Sequence, residues 1–306
     1  MSGLPEAARQ RVEKQASSGV RSSLFSAPAA AAAQSAGLRP VGEVFGCVVM
    51  NLGWTGGGCG WYGSSGGLAA GMFGGAFSAA PMSPVLTSGH SGPYAGMAPY
   101  VNAIEAGWHG ALQRLLAEAK ALGAHGVVGI RIERAPLQNQ IWEFTALGTA
   151  VYSTDPSKAP RPVNGGLWRT DLSAEDTASA ILSGFLPSEV LMGLSVSTKH
   201  EDWQLQSQRT SWVNQEVDGM TELIRAARDE ARARLESRAT HTGGAHLVIT
   251  QMGLQEFETS CGSGQEDSKD YHAEALFVGT TLVPIPGFHP SRTPGVLTVL
   301  PLRDTH

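Results

Sequence analysis

The stretch from Ser26 to Gly46, SAPAAAAAQSAGLRPVGEVFG, finds an ungapped partner in Ser173 to Gly193, SAEDTASAILSGFLPSEVLMG. Ser26 falls on Ser173, Ala27 on Ala174, Gly37 on Gly184, Pro40 on Pro187 and Gly46 on Gly193. Both stretches have the same local grammar. A serine able to cap a helix leads into a short Ala-containing helix, a glycine ends it, and Gly-x-x-Pro turns the chain into a strand. Further along, Gly123-Ala124-His125 is echoed by Gly244-Ala245-His246, and Glu143–Thr149 (EFTALGT) by Glu274–Thr280 (EALFVGT). Landmarks recurring in one order read as a tandem duplication, and a repeat decides the fold before any motif does.

Between the landmarks each half carries an amphipathic helix. Leu112, Leu115, Leu116, Ala119 and Leu122 form one apolar stripe, with Gln113, Arg114, Glu118 and Lys120 on the other side. In the second half Leu223, Ile224, Ala227, Ala231 and Leu235 do the same, flanked by Arg225, Arg228, Asp229, Glu230 and Arg232. The predicted class is therefore α+β: two tandem two-layer β-α-β-β modules, each preceded by a short helix. The expected division is an N-terminal helical segment over 1–21, a first module over 22–153 with a Gly-rich loop at 53–96, a linker over 154–166, a second module over 167–286, and a Pro-containing tail over 287–306. A module of this kind leaves a sheet edge to protect, and joining further copies is one way to protect it.

Composition narrows the function classes. The net charge is −5 and the basic residues are scattered, which argues against nucleic acid as a partner. Cys47, Cys59 and Cys261 make no C-x-x-C pair and no disulfide framework. The N-terminal MSGLPEAARQRVEKQ lacks the apolar core of a secretory signal. The most apolar window, Leu68–Ala80, is shorter than the roughly 20 residues a membrane helix needs. The expectation is a cytoplasmic protein.

The run ALQRLLAEAKALGAHGVVGIRIER followed by WEFTALGTAVYS resembles the YbjQ family, small bacterial proteins labelled as heavy-metal-binding. The residues that carry the resemblance are Glu118-Ala119, Leu122-Gly123-Ala124, Val127-Val128-Gly129-Ile130 and Gly148-Thr149-Ala150-Val151. The second half matches more loosely, with Thr281 where Ala150 stands and the polar insertion SCGSGQEDSKD between its last strands. The tandem, Ala-rich form is similar to versions of the family found in actinobacteria. The resemblance implies a YbjQ/dodecin-like module that assembles into pentameric rings through added strands, and it brings no reaction and no defined ligand. One departure is that His125 and His246 stand where the family commonly has Asn.

His125 and His246 are candidate metal ligands, because equivalent imidazoles from neighbouring modules could converge on zinc or copper. The plain alternative is a joint that needs a residue tolerating positive φ. His272 and Glu274 lie two apart on a predicted strand and so share a face, as two ligands of a metal site or as a solvated strand end. Asp267 and Asp270 could add oxygen ligands. Cys47 reads as a small buried side chain and Cys59 as a spectator in the loop. Gly58-Cys59-Gly60-Trp61-Tyr62-Gly63 matches G-x-G-x-x-G, but no helix starts at its third glycine, so it is set aside. Trp54, Trp61, Tyr62, Met72, Phe73 and Phe77 leave residues 53–96 open to two readings: a floppy insertion, or a segment that orders on assembly, on a partner protein or on a membrane. No nucleophile elbow, H-E-x-x-H or phosphate loop is present. The expected protein is a non-catalytic homo-oligomer.

Overall fold

A computed structural model describes residues 5–17, 22–52, 83–89, 97–155, 166–260 and 269–288. Most of the Gly/aromatic stretch, most of the linker, Cys59, Cys261, Asp267 and the tail beyond 288 lie outside the described residues.

After an N-terminal helix α1 (Glu6–Ser17), each half opens with a short capped helix. In α2 (Ala27–Ser35) the Ser26 hydroxyl accepts a hydrogen bond from the Ala29 amide, and in α4 (Ala174–Leu182) Ser173 accepts from Asp176. Both ends turn at glycines in the left-handed region, Gly37 at φ 76° and Gly184 at φ 90°, where a Cβ would be strained. Long strands follow, β1 (Leu38–Asn51) and β6 (Phe185–His200). Their pairing slips beside the proline in each case, between Pro40 and Gly42 and between Pro187 and Val190. Proline has no N–H to give a ladder, so a bulge there costs little.

The amphipathic helices are α3 (Ala98–Ala121) and α6 (Asp218–His241), with a shorter α5 (Trp203–Arg209) before the latter. The hairpin β3 (Gly126–Gln138) and β4 (Ile141–Ser153) follows α3; β7 (His246–Ser260) and β8 (Lys269–Pro284) follow α6. Two short strands, β2 (Val85–Thr87) and β5 (Trp168–Arg169), complete two sheets ordered β1-β4-β3-β5 and β2-β6-β8-β7. The described part of the protein is thus α+β with two sheets. All pairings are antiparallel except β3 with β5. The short strands cross between the halves. β2, which precedes α3, adds to β6, while β5, which precedes α4, adds to β3.

Each sheet receives its helix across a glycine. An added Cβ on Gly46 would run into the Ala111 carbonyl of α3, and one on Gly193 into the Ala231 carbonyl of α6. Side chains of the same helices cap open strand groups: Glu118 accepts from the Phe45 amide at 3.0 Å, and Arg238 donates to the Met192 carbonyl. The two sheets differ in what lies behind them. Leu191 of β6 and Ala273, Ala275 and Phe277 of β8 pack with α6. The alternate residues Val190, Met192, Leu194 and Val196 share a core cluster with Val101, Ile104, Trp108 and Leu112 of α3. Because successive side chains point to opposite faces, β6 is covered on both. The two sheets are therefore stacked, with α3 serving both. A smaller cluster joins Ala29 and Ala33 of α2 to Ala174, Ala178 and Ile181 of α4, over Leu38, Val128 and Val151.

Gly46→Ala and Gly193→Ala are each expected to cost about 1–3 kcal/mol, the usual range for overpacking, in denaturant melts. Gly253→Ala, where the nearest group to a new Cβ is Leu276 at 3.7 Å, should change stability little.

Candidate functional site

The most concentrated buried polar chemistry lies where the β3–β4 hairpin and the start of α3 meet the second sheet. Period-two alternation puts Arg134 on the same face of β3 as Ile130 and Ile132, an inward position for a charge. Its guanidinium pairs with Glu274 of β8, a carboxylate 3 % exposed, and donates to Gln255 at 3.0 Å. It also lies over the rings of Trp108 and Trp142, at 5.9 and 5.5 Å from their centroids. The Tyr100 hydroxyl donates to Glu274 at 2.7 Å, and burial, with Glu274 beside it, pushes its pKa up. Two aromatic contacts extend the seam: Tyr100 lies 6.2 Å from Phe257, which stacks on His272 at 4.8 Å.

His272 and Glu274 do share a face, as alternate residues of β8, but neither is a solvated strand end. His272 is 5 % exposed, and its ring nitrogens lie 2.9 Å from the hydroxyls of Thr198 and Thr259. Burial holds its pKa below the ordinary value, against the pull of Asp270. Asp270 bonds Nδ1 of His200 at 2.7 Å, and that hydrogen bond raises the His200 pKa.

The structure separates the other histidine pair. The left-handed residue ending each long helix is a glycine, Gly123 or Gly243, both at φ 70°. The Ala124 amide then bonds the Ala119 carbonyl, and the Gly244 amide bonds Ala239. The second joint has two glycines in a row, so His246 lies one residue further past its cap than His125 does, and the two are not equivalent. His125 precedes β3, stacks on Tyr152 at 4.2 Å and accepts from the Ser153 amide through Nδ1. His246 is the first residue of β7, exposed, with its ring edge-on to Phe185. The positive-φ reading of these histidines also gives way, since glycine takes that role at both joints. Cys47 is half-buried on the face of β1 away from α3, with Sγ 3.1 Å from Glu143. Burial and then that carboxylate push its pKa up to about 11, which leaves it a poor nucleophile.

A metal does not fit these side chains within one chain. His272 is engaged at both nitrogens, Glu274 is held by Arg134 and Tyr100, and Nδ1 of His125 already accepts from an amide. Among the described residues no three His, Cys, Asp or Glu side chains gather to hold an ion. The polar seam instead bonds one half of the chain to the other. Among the described helices, none is long and apolar enough to cross a membrane.

Residues 88–154 match the family model of YbjQ, described as "Putative heavy-metal-binding". The resemblance drawn from the α3–β4 residues is borne out over this stretch. The chain is also 32% identical over 150 residues to an encapsulin nanocompartment protein of Mycobacterium tuberculosis. That alignment covers 48% of this chain and 57% of the relative, so it spans little more than half of that protein's length. No solved structure matches the chain.

Two outcomes are expected at the seam. Glu274→Leu alone, which leaves Arg134 buried and unpaired, should lose about 3–5 kcal/mol, whereas Glu274→Leu with Arg134→Leu should lose much less. A histidine whose folded pKa is depressed contributes stability that is full above its unfolded value and is lost as pH falls from there through the folded value. Thermal melts should therefore fall as pH drops below about 6.5, and His272→Gln should flatten part of that slope. NMR titration should find the His272 ring still neutral where His200 is already charged.

Proposed function

We propose that the chain is two copies of one α+β module fused in tandem, and that it is a non-catalytic building block of a self-assembling, ring-like protein particle. The exchange of strands between the halves carries this reading. β2 of the first half adds to β6, β5 of the second adds to β3, and α3 packs against both sheets. In this reading, association of one module with the next is built into a single chain. The same reading takes the shared capped helices, the proline bulges and the glycine contacts of Gly46 and Gly193 as traces of duplication. The relative named for an encapsulin nanocompartment supports a role in or beside a protein shell. The family implies five chains to a ring.

The heavy-metal part of the reading rests on the family description. Since one chain gathers no ligand set among its described residues, a metal in this reading belongs between chains.

Native mass spectrometry of untagged protein, purified without chelator, tests both parts when elemental analysis is run on the same sample. A discrete multiple of the 32.1 kDa chain is expected. A clean monomer at micromolar concentration would overturn assembly, and a metal-free particle would remove the metal.

A further inference from the structure

The contact between α3 and the second sheet has a counterpart on each outer surface of the molecule. On the helix side, the α6 residues placed as Val101, Trp108 and Leu112 are on α3 are Thr221, Arg228 and Arg232, all exposed, with exposed Arg225 beside them. On the sheet side, the β1 residues placed as Val190, Met192, Leu194 and Val196 are on β6 are Glu43, Phe45, Cys47 and Val49. None of these is fully buried, and Val49 is 53 % exposed. Glu143 and Leu147 of β4 and Arg131 and Glu133 of β3 continue that face.

We propose, resting on the self-assembly reading, that copies of this chain join head to tail, with α6 of one lying on the open β1-β4-β3 face of the next. Charge complementarity carries it. Arg225, Arg228 and Arg232 form a basic row, opposed by Glu43, Glu133 and Glu143 around an apolar centre of Phe45, Val49 and Leu147. The countercharges within each surface are Asp229 and Glu236 beside Arg225 and Arg232 on the exposed helix, and on the sheet Arg131 together with Arg11, which lies 5.4 Å over the Phe45 ring while paired to Glu118. The exposed pairs on the helix are weak and exchange easily for intermolecular ones.

The segment leading into α6 supports the same occupant. The corresponding segment before α3 is the one that carries β2 onto the second sheet. Before α6 the chain exposes Trp203 (65 %), Trp212 (102 %) and Val213 (71 %), large apolar groups that this packing would set against the next copy's β1 edge. The contact pairs two different surfaces, so it repeats from copy to copy and gives a ring when the rotation between neighbours closes, or a filament when it does not.

Charge reversal tests the proposal on the full chain. One variant carries Arg228→Glu and Arg232→Glu, a second carries Glu133→Arg and Glu143→Arg, and a third carries all four. Circular dichroism melts establish that each folds. Each pair alone sets like charges opposite one another and should weaken association by more than about a hundredfold, whereas the fourfold variant should return to the wild-type mass. Wild-type assembly that survives both pairs would leave self-assembly standing and overturn this interface. A wild-type monomer would overturn both. Unchanged assembly with lost binding to anionic vesicles would assign the arginine row to a lipid surface and overturn the proposal.

Discussion

Strand β6 has no face it can show to water. Leu191 and its alternates lie under α6, while Val190, Met192, Leu194 and Val196 on the opposite side lie against α3, a helix from the other half of the chain. At about 1.5–3 kcal/mol for each large side chain buried, leaving that second face open would cost the fold much of its margin. The rest of the architecture follows. α3 has to be apolar on two sides, which its stretch from Val101 to Leu115 provides. The first half has to lie across the second, and the hairpin tip has to find partners there for Arg134. A charge at an inward position becomes tolerable because Glu274, Gln255 and two indole rings meet it.

Much of this was legible in the residues. Ser26 and Ser173 as caps, Gly37 and Gly184 as stops, and the apolar stripes of α3 and α6 all follow from local rules that operate within a few residues. In β6 only Val190–Leu194 runs without a polar side chain, and Ser195 and Ser197 then alternate with Leu194 and Val196, so the strand reads as half-buried over part of its length although both its faces are covered. Which element would cover it was not legible, because packing between distant segments leaves no fixed spacing. The histidines show a different limit. Matching Gly-Ala-His to Gly-Ala-His is sound as text, but the cap forms at the first of two glycines in Gly243-Gly244, so the match slips by one residue. In a strand that follows, one residue is the difference between opposite faces.

Arg134 could have been found from the sequence. The pattern Ile130-x-Ile132-x-Arg134 places a guanidinium on an aliphatic face, and a buried charge must have a counter-charge. Its partner could not, because Glu274 lies far along the chain with only the tertiary fold to bring it near. His272 was singled out as a ligand because of its type and spacing. Its surroundings make it a neutral ring between two hydroxyls, a role that depends on Thr198 and Thr259 from the flanking strands.

The brief strand Trp168–Arg169 also bears on how this molecule comes into being. The parallel edge of the first sheet is closed by residues made after every other strand of that sheet has left the ribosome. Until then β3 presents unpaired backbone, and the apolar flank of α3 has no cover. The nascent first half is therefore an adhesive intermediate, and each chain emerging on the same message offers its neighbour the surface that its own second half will claim. The pace of synthesis between β4 and β5 thus sets the interval in which chains can pair wrongly.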